Sequence, residues 1–63
     1  MKIFITDGSD IDNESLCLLP EAATEFAQGG FTHIRWEGQL WTVVLNSCLG
    51  HKFFGLEDII EGN

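Results

Sequence analysis

The sequence has few of the residues on which several common classes of protein depend. Only three of its 63 residues are Lys or Arg, against ten Asp and Glu, so the formal net charge is −7. A protein that grips nucleic-acid phosphates uses basic side chains to displace counterions, and this composition argues against that class. No apolar run approaches the roughly 20 residues of a membrane span. The composition therefore bears mainly on the class of partner that such an acidic chain would bind.

Cysteine is also scarce. Cys17 and Cys48 are the two cysteines, which is fewer than a small secreted scaffold usually carries. The sequence opens on a strand-like run and not on a signal peptide, which favours a cytoplasmic protein. Thiols stay reduced in that compartment, so we expect two free, buried thiols and keep a single disulfide as the alternative.

Apolar residues, by contrast, are abundant enough to form a core. Hydrophobic residues make up 44% of the chain and aromatic residues 11%, which is too apolar for a disordered acidic tail. A chain of this length forms one domain, and we expect a single compact mini-domain over residues 1–63. Much of the buried area should come from the seven aromatic residues, which are Phe4, Phe26, Phe31, Trp36, Trp41, Phe53 and Phe54.

The patterning predicts strands around one main helix. A β-branched and aromatic run predicts a first strand over residues 2–6. The helix should begin near Pro20, because proline is tolerated at the first helical position, and end at the glycines that start with Gly29. Alternating residues 31–36 and 40–45, joined by a glycine-containing turn, predict a β-hairpin.

The remaining segments are less regular. Residues 12–19 read as a loop or a separate helical turn, and Asn46 and Ser47 as a break. A third strand is expected over 51–54, and the apolar spacing in 56–61 favours a short C-terminal helical turn over a strand. The predicted fold class is therefore α+β, with a small antiparallel sheet of about three to four strands and one main helix packed on one face.

Metal sites and catalytic groups are weakly represented. Cys48 and His51 have a C-x-x-H spacing, but Cys17 and His33 are far apart, whereas a structural zinc site shows two close ligand pairs. The acidic loop fails as a calcium site because Ser15 stands where the sharp turn requires glycine. Few basic residues are present to activate a thiolate. We expect no metal, no cofactor and no enzymatic activity.

The carboxylates form the clearest candidate site. Glu37 stands alone at the hairpin tip, and the others fall into three groups. These are Asp7, Asp10, Asp12 and Glu14 in one loop, Glu21 and Glu25 four residues apart on the helix, and Glu57, Asp58 and Glu61 near the C-terminus. Acidic surfaces also keep small proteins soluble, and charge alone does not separate this role from binding. A partner with a basic nucleic-acid-binding surface would be attracted to such a field.

The chain as a whole resembles the small phage-encoded anti-CRISPR proteins, in particular acidic inhibitors of type I systems, including type I-C. The likeness covers the full length: a Met1 start, one mini-domain, strong acidity and no enzymatic motif. It implies inhibition of a Cas effector in the bacterial cytoplasm by direct binding, often at a basic DNA-binding surface. Some members of this group instead block nuclease recruitment or act in another way, so the resemblance leaves the mechanism open. No shared motif exists, so no residue roles are carried over.

The alternative is a general interaction module or accessory subunit that binds through an apolar sheet face. Trp36, Trp41 or Phe53 would anchor either kind of contact if exposed on the side of the sheet that the helix leaves uncovered.

Overall fold

A computed structural model describes residues 1–48 and 50–62. They form a six-stranded sheet with one helix, and the strand order in the sheet is β1-β4-β5-β6-β3-β2. The β1 and β4 strands are parallel, while every other neighbouring pair is antiparallel. In chain order the elements are β1 (Ile3–Ile5), β2 (Ile11–Asp12), β3 (Cys17–Leu18), α1 (Pro20–Gln28), β4 (His33–Trp36), β5 (Gln39–Cys48) and β6 (His51–Glu61).

The predicted fold class is wrong in strand number and in sheet type. The protein is mostly β, with a mixed sheet that curls into a half-barrel around one nine-residue helix. The β1 and β4 strands can run parallel because the connection between them, through β2, β3 and α1, is long enough to bring the chain back to the same end of the sheet. Strands of two residues, such as β2 and β3, are too short to produce an alternating pattern in the sequence.

The long β5–β6 hairpin dominates the sheet. The strand predicted over 51–54 continues past Gly55, and Asn46 and Ser47 do not break the strand before it, because pairing continues from Cys48↔His51 to Leu40↔Glu61. The predicted C-terminal helical turn at 56–61 is therefore also wrong. Two register shifts, between Leu40 and Trp41 and between Thr42 and Val43, alter the simple alternation on which strand prediction depends.

The helix agrees with its prediction. It begins at Pro20 and buries Ala22, Ala23 and Phe26, and the chain turns away through Gly30 at a φ of 69°. The Phe26 ring lies 4.9 Å from that of Phe54 on β6, centroid to centroid. This contact fixes the helix over the inner side of the curled sheet.

The core lies between α1 and the sheet. Leu18 and Ile34 are fully buried at its centre. Around them, Phe4 contacts the rings of both Phe26 and Phe31 edge-on, an arrangement that aromatic pairs favour. The ring centroids of Trp36 and Trp41 are 5.9 Å apart. All seven aromatic residues thus belong to the core or pack against it.

A disulfide joins Cys17 to Cys48, which corrects the expectation of free thiols. The two Cα atoms are 6.0 Å apart, within the usual range for a disulfide. Cys17 lies on β3 and Cys48 on β5, the two neighbours of β6, so the bridge crosses over β6 at Gly55. The absent side chain of Gly55 leaves the room that the bridge occupies.

Substituting Gly55→Ala is expected to lower the free energy of unfolding by about 1–3 kcal/mol, the usual cost of overpacking. The new Cβ would lie 3.0 Å from Cys48 Sγ and 3.7 Å from Cys17 Sγ. The disulfide cannot easily move away from this Cβ, because β3 holds one of its ends and β5 holds the other. Urea unfolding measures the effect. In a background where both cysteines are alanine, the penalty should vanish, because alanine otherwise suits a strand better than glycine. An equal loss in both backgrounds would contradict the close approach.

Candidate functional site

The loop carboxylates have local structural roles. Asp7 Oδ1 accepts a hydrogen bond from the backbone N–H of Ser9 at 3.0 Å. This bond, followed by one from the Ser9 side chain, lowers the pKa of the Asp7 carboxyl. The Thr6 hydroxyl donates to Asp10 Oδ2 at 3.2 Å. Asp12 Oδ1 accepts from two backbone N–H groups, those of the second and third residues after it, at 3.0 and 3.1 Å. These three side chains therefore stabilise the turns of the loop and also give the loop its negative charge.

The Asp12→Ala substitution is expected to lower the free energy of unfolding by about 1 kcal/mol, because two backbone donors lose their acceptor. The matched variant Asp12→Asn keeps an oxygen at the same position and removes only the charge. It should retain most of the stability in the same urea experiment. If both variants unfold alike, the turn does not depend on this acceptor.

Glu14, Glu21 and Glu25 project into solvent. All three are exposed, and none of their carboxylates forms an ion pair or hydrogen bond within residues 1–48 and 50–62. Glu21 lies in the first turn of α1, where the helix dipole favours a negative charge. Their charges are therefore available to a partner.

The C-terminal carboxylates lie on β6 and not on a helical turn. Glu61 forms an ion pair with Arg35 at 2.9 Å. Asp58 Oδ1 accepts a hydrogen bond from the backbone N–H of Ile59 at 2.9 Å. Glu57 is exposed and has no ion-pair partner in the described part of the chain. Of this group, Glu57 is the carboxylate most free to engage another molecule.

Backbone contacts connect the three acidic groups through the loop. The Leu19 N–H donates to Asp10 O at 2.8 Å, which ties the loop to the start of α1. The Leu56 N–H donates to Leu16 O at 2.7 Å, which ties the other end of the loop to β6 beside Glu57. The three groups are thus carried by segments that are in backbone contact with one another. We call the nine residues the acidic surface: Asp7, Asp10, Asp12, Glu14, Glu21, Glu25, Glu57, Asp58 and Glu61.

The expected aromatic anchors are not exposed. Trp36 is 7% exposed and belongs to the core, and Trp41 and Phe53 are partly buried against it. Beside the β6 carboxylates the exposed apolar residues are instead Ile59 and Ile60, at 42% and 51%. Trp36 is therefore wrong as an anchor, since its ring packs inside the curled sheet.

An apolar groove lies at the opposite end of β6. It has a volume of about 490 Å³, and α1 lines one wall with Ala23 and Ala27. The β5–β6 hairpin lines the other with Leu45, Phe53 and Phe54. None of its described lining residues is acidic, although ten of the 63 residues in the chain are. We call this site the groove.

Lys52 and His51 also line the groove. The other two basic side chains are engaged elsewhere: Lys2 donates to a backbone carbonyl and lies over the Phe31 ring, and Arg35 is paired with a carboxylate. Lys52 forms no ion pair within residues 1–48 and 50–62. The groove therefore combines apolar walls with a cation.

Sequence reasoning missed the groove, although one signal was present. No acidic residue occurs between Glu37 and Glu57, and the groove wall on the hairpin falls inside that acid-free stretch. Leu45 lies inside that stretch, and it is 61% exposed although it belongs to an apolar strand.

The His, Cys, Asp and Glu side chains in the described part of the chain do not form a metal site. Across the described residues, no cluster of three or more His, Cys, Asp or Glu side chains is arranged to hold an ion. Cys17 and Cys48 are joined to each other. His33 Nδ1 lies 2.8 Å from the Thr32 hydroxyl, and the His51 ring stacks on Phe53.

Comparisons with protein-family models, curated proteins and solved structures find no significant match. In the part of the chain that the structure describes, no helix has the length and apolar character needed to cross a membrane. The acidic surface and the groove are therefore the two features of the molecule that bear on its function.

Proposed function

We propose that the protein is a non-enzymatic inhibitor that binds a basic nucleic-acid-binding surface of a partner protein and occupies the place of the nucleic acid. The observation that supports this proposal is the acidic surface itself. Its loop carboxylates are held by hydrogen bonds to neighbouring backbone and side-chain donors. Charges fixed in this way do not have to be ordered on binding, which lowers the entropic cost of association.

The electrostatics favour a partner that normally binds nucleic acid. Duplex DNA carries about one negative charge per 1.7 Å of its axis, and proteins that bind it meet that charge with Lys and Arg. A folded chain with a net charge of −7 enters the same positive field. Long-range attraction would also raise the association rate at low salt.

The candidate partner is a Cas effector subunit of a type I CRISPR system, and the proposed location is the cytoplasm of a bacterial host. Both follow from the resemblance of the sequence to phage-encoded anti-CRISPR proteins. A reducing cytoplasm would open the Cys17–Cys48 bridge. Under this proposal the fold must persist when both residues are buried thiols.

The direct test is target-DNA binding by a purified type I-C surveillance complex, measured with and without the protein. We expect the protein to lower the fraction of DNA bound in a dose-dependent way, and added DNA to displace the protein. A charge-matched control is an unstructured acidic peptide with the same net charge, which should inhibit far less. DNA binding that is unchanged at saturating protein would contradict occupation of the DNA site.

A second candidate function, an interaction module that binds through an apolar surface, is favoured by the groove. Leu45 lines the groove and is 61% exposed, and exposed apolar patches commonly mark binding sites. Salt separates the two modes, because screening weakens binding between charges and leaves apolar contacts largely intact.

A further inference from the structure

We propose that a cavity beside Glu57 binds the guanidinium group of an arginine side chain that the partner protein supplies. This inference rests on the proposed function, because the arginine belongs to the basic surface of the partner, and it names the group that this surface presents. The cavity has a volume of about 350 Å³. It shares no described lining residue with the groove. We call this cavity, which Glu57 lines, the Glu57 pocket.

Three segments form the walls of the Glu57 pocket, and direct bonds join them. The lining residues lie at 15–17, at 44 and 46–48 on β5, and at 55–57 on β6. The disulfide joins Cys17 to Cys48, which lie on two different walls. The Leu56 N–H donates to Leu16 O at 2.7 Å and joins β6 to the first segment. These bonds form the pocket before a ligand arrives, which lowers the entropic cost of binding.

The charge of the Glu57 pocket selects a cation as its occupant. Glu57 is the one charged residue in the described lining, which contains no Lys, Arg or His. Its side chain is exposed and forms no ion pair within residues 1–48 and 50–62. A cleft whose charge has a single sign focuses the electric field and attracts the opposite charge. The occupant is therefore a positively charged group.

The polar lining of the Glu57 pocket favours a guanidinium over an ammonium group. The hydroxyls of Ser15 and Ser47 form no hydrogen bond with another described residue. Asn46 Oδ1 accepts from the Ser47 N–H at 2.8 Å and has a second lone pair. With the carboxylate, these oxygens are several separate acceptors, and a guanidinium offers five N–H donors and no acceptor. An ammonium is a compact and more strongly hydrated point charge, so it gains less from such a lining.

Apolar side chains complete the Glu57 pocket. Leu16, Val44 and Leu56 belong to its lining, and Leu56 is buried. An arginine side chain carries a stem of three methylene groups, which pack against apolar surface while the charged end reaches polar groups. The same combination of apolar walls and a few polar groups is typical of binding pockets. The lining therefore matches both parts of an arginine side chain.

NMR titration of the oxidised protein with N-acetyl-arginine methylamide tests the proposal at about 0.15 M salt. This probe presents the side chain as a polypeptide does. We expect saturable shifts of the amides of Ser15, Ser47 and Glu57, with a dissociation constant in the millimolar range. The citrulline analogue has the same shape without the charge and should give no saturable shift. The lysine analogue should bind at least about threefold more weakly.

Glu57→Gln should raise the dissociation constant of the arginine probe at least about fivefold, because it removes the charge and keeps the size of the side chain. Glu37→Gln is the matched control. It neutralises an exposed glutamate in the β4–β5 turn, outside the pocket, and should change the constant less than twofold. The amide spectra of both variants show whether each remains folded.

An unchanged affinity of Glu57→Gln for the probe would overturn the proposal. So would shifts that grow without saturation and are as large at Glu21, Glu25 and Glu37 as in the pocket, since these report general attraction by charge. The pocket does not receive an arginine of the partner if Glu57→Gln binds the surveillance complex as tightly as the wild-type protein does. A wild-type protein that binds the probe in the pocket and fails to bind the complex would contradict the inhibitor proposal alone.

Discussion

Loss of the Cys17–Cys48 disulfide is expected to lower the free energy of unfolding by about 3–4 kcal/mol. The bridge closes a loop with a sequence separation of 31, and the chain-entropy relation for a loop of this length gives that figure. The bridge also joins β3 to β5 across β6, and it therefore helps to hold the curvature of these three strands. For a chain of 63 residues the total stability is only about 3–9 kcal/mol.

The measurement is urea unfolding of the wild-type protein, oxidised and reduced, beside the Cys17→Ala/Cys48→Ala variant. The reduced protein and the variant should both unfold at much lower urea than the oxidised protein. Reductant should not move the midpoint of the variant, which controls for its other effects. Equal midpoints for oxidised and reduced wild type would contradict a stabilising bridge.

The same experiment bears on where the protein can act. A reduced form that is still folded at 37 °C is compatible with inhibition in a bacterial cytoplasm. A reduced form that is largely unfolded would exclude the proposed location and require a compartment in which the disulfide persists.

Reversing the charge of Glu57 is expected to weaken binding to a type I-C surveillance complex at least about tenfold, the equivalent of one charge-assisted hydrogen bond. Glu57 is exposed on β6 and forms no ion pair with another described residue, so Glu57→Lys removes no stabilising contact. Binding is measured by titrating a labelled variant with the complex at fixed salt.

Glu37→Lys is the matched control for Glu57→Lys. Both substitutions exchange an exposed glutamate for lysine, and both change the net charge by two, from −7 to −5. Glu37 occupies the turn between β4 and β5, outside the acidic surface. We expect less than a threefold loss for this variant. An equal loss for the two would show that only total charge matters and that Glu57 makes no contact.

The helix and the β4–β5 hairpin could be predicted from the sequence, because residues close to each of them determine where they begin and end. Pro20 and the glycines from Gly29 onward bound the helix where they were expected to, because their backbone preferences act within a few residues. The β4–β5 hairpin was predicted for the same reason. Residues 56–61 were not, since the spacing of Leu56, Ile59 and Ile60 suits a helix while pairing with β5, many residues earlier, holds them in a strand.

The disulfide, the contacts between the acidic groups and the groove could not be predicted from local sequence patterns, because each depends on residues far apart in the chain. Nothing in the spacing of Cys17 and Cys48 indicates that β6 brings β3 and β5 close enough for a bridge. The three acidic groups could be found from the sequence, but their connection through the loop depends on tertiary contacts at Leu19 and Leu56. The groove required the same information, although the acid-free stretch before Glu57 pointed to that part of the chain.

The most direct test of the inhibitor proposal is the affinity of the protein for a purified type I-C surveillance complex as a function of salt. If the acidic surface occupies a basic nucleic-acid-binding site, the logarithm of the association constant should fall steeply as the logarithm of salt concentration rises. The loss should be shallower for Glu57→Lys than for the wild-type protein. An affinity that stays constant from about 0.01 M to about 0.15 M salt would contradict binding through the carboxylates.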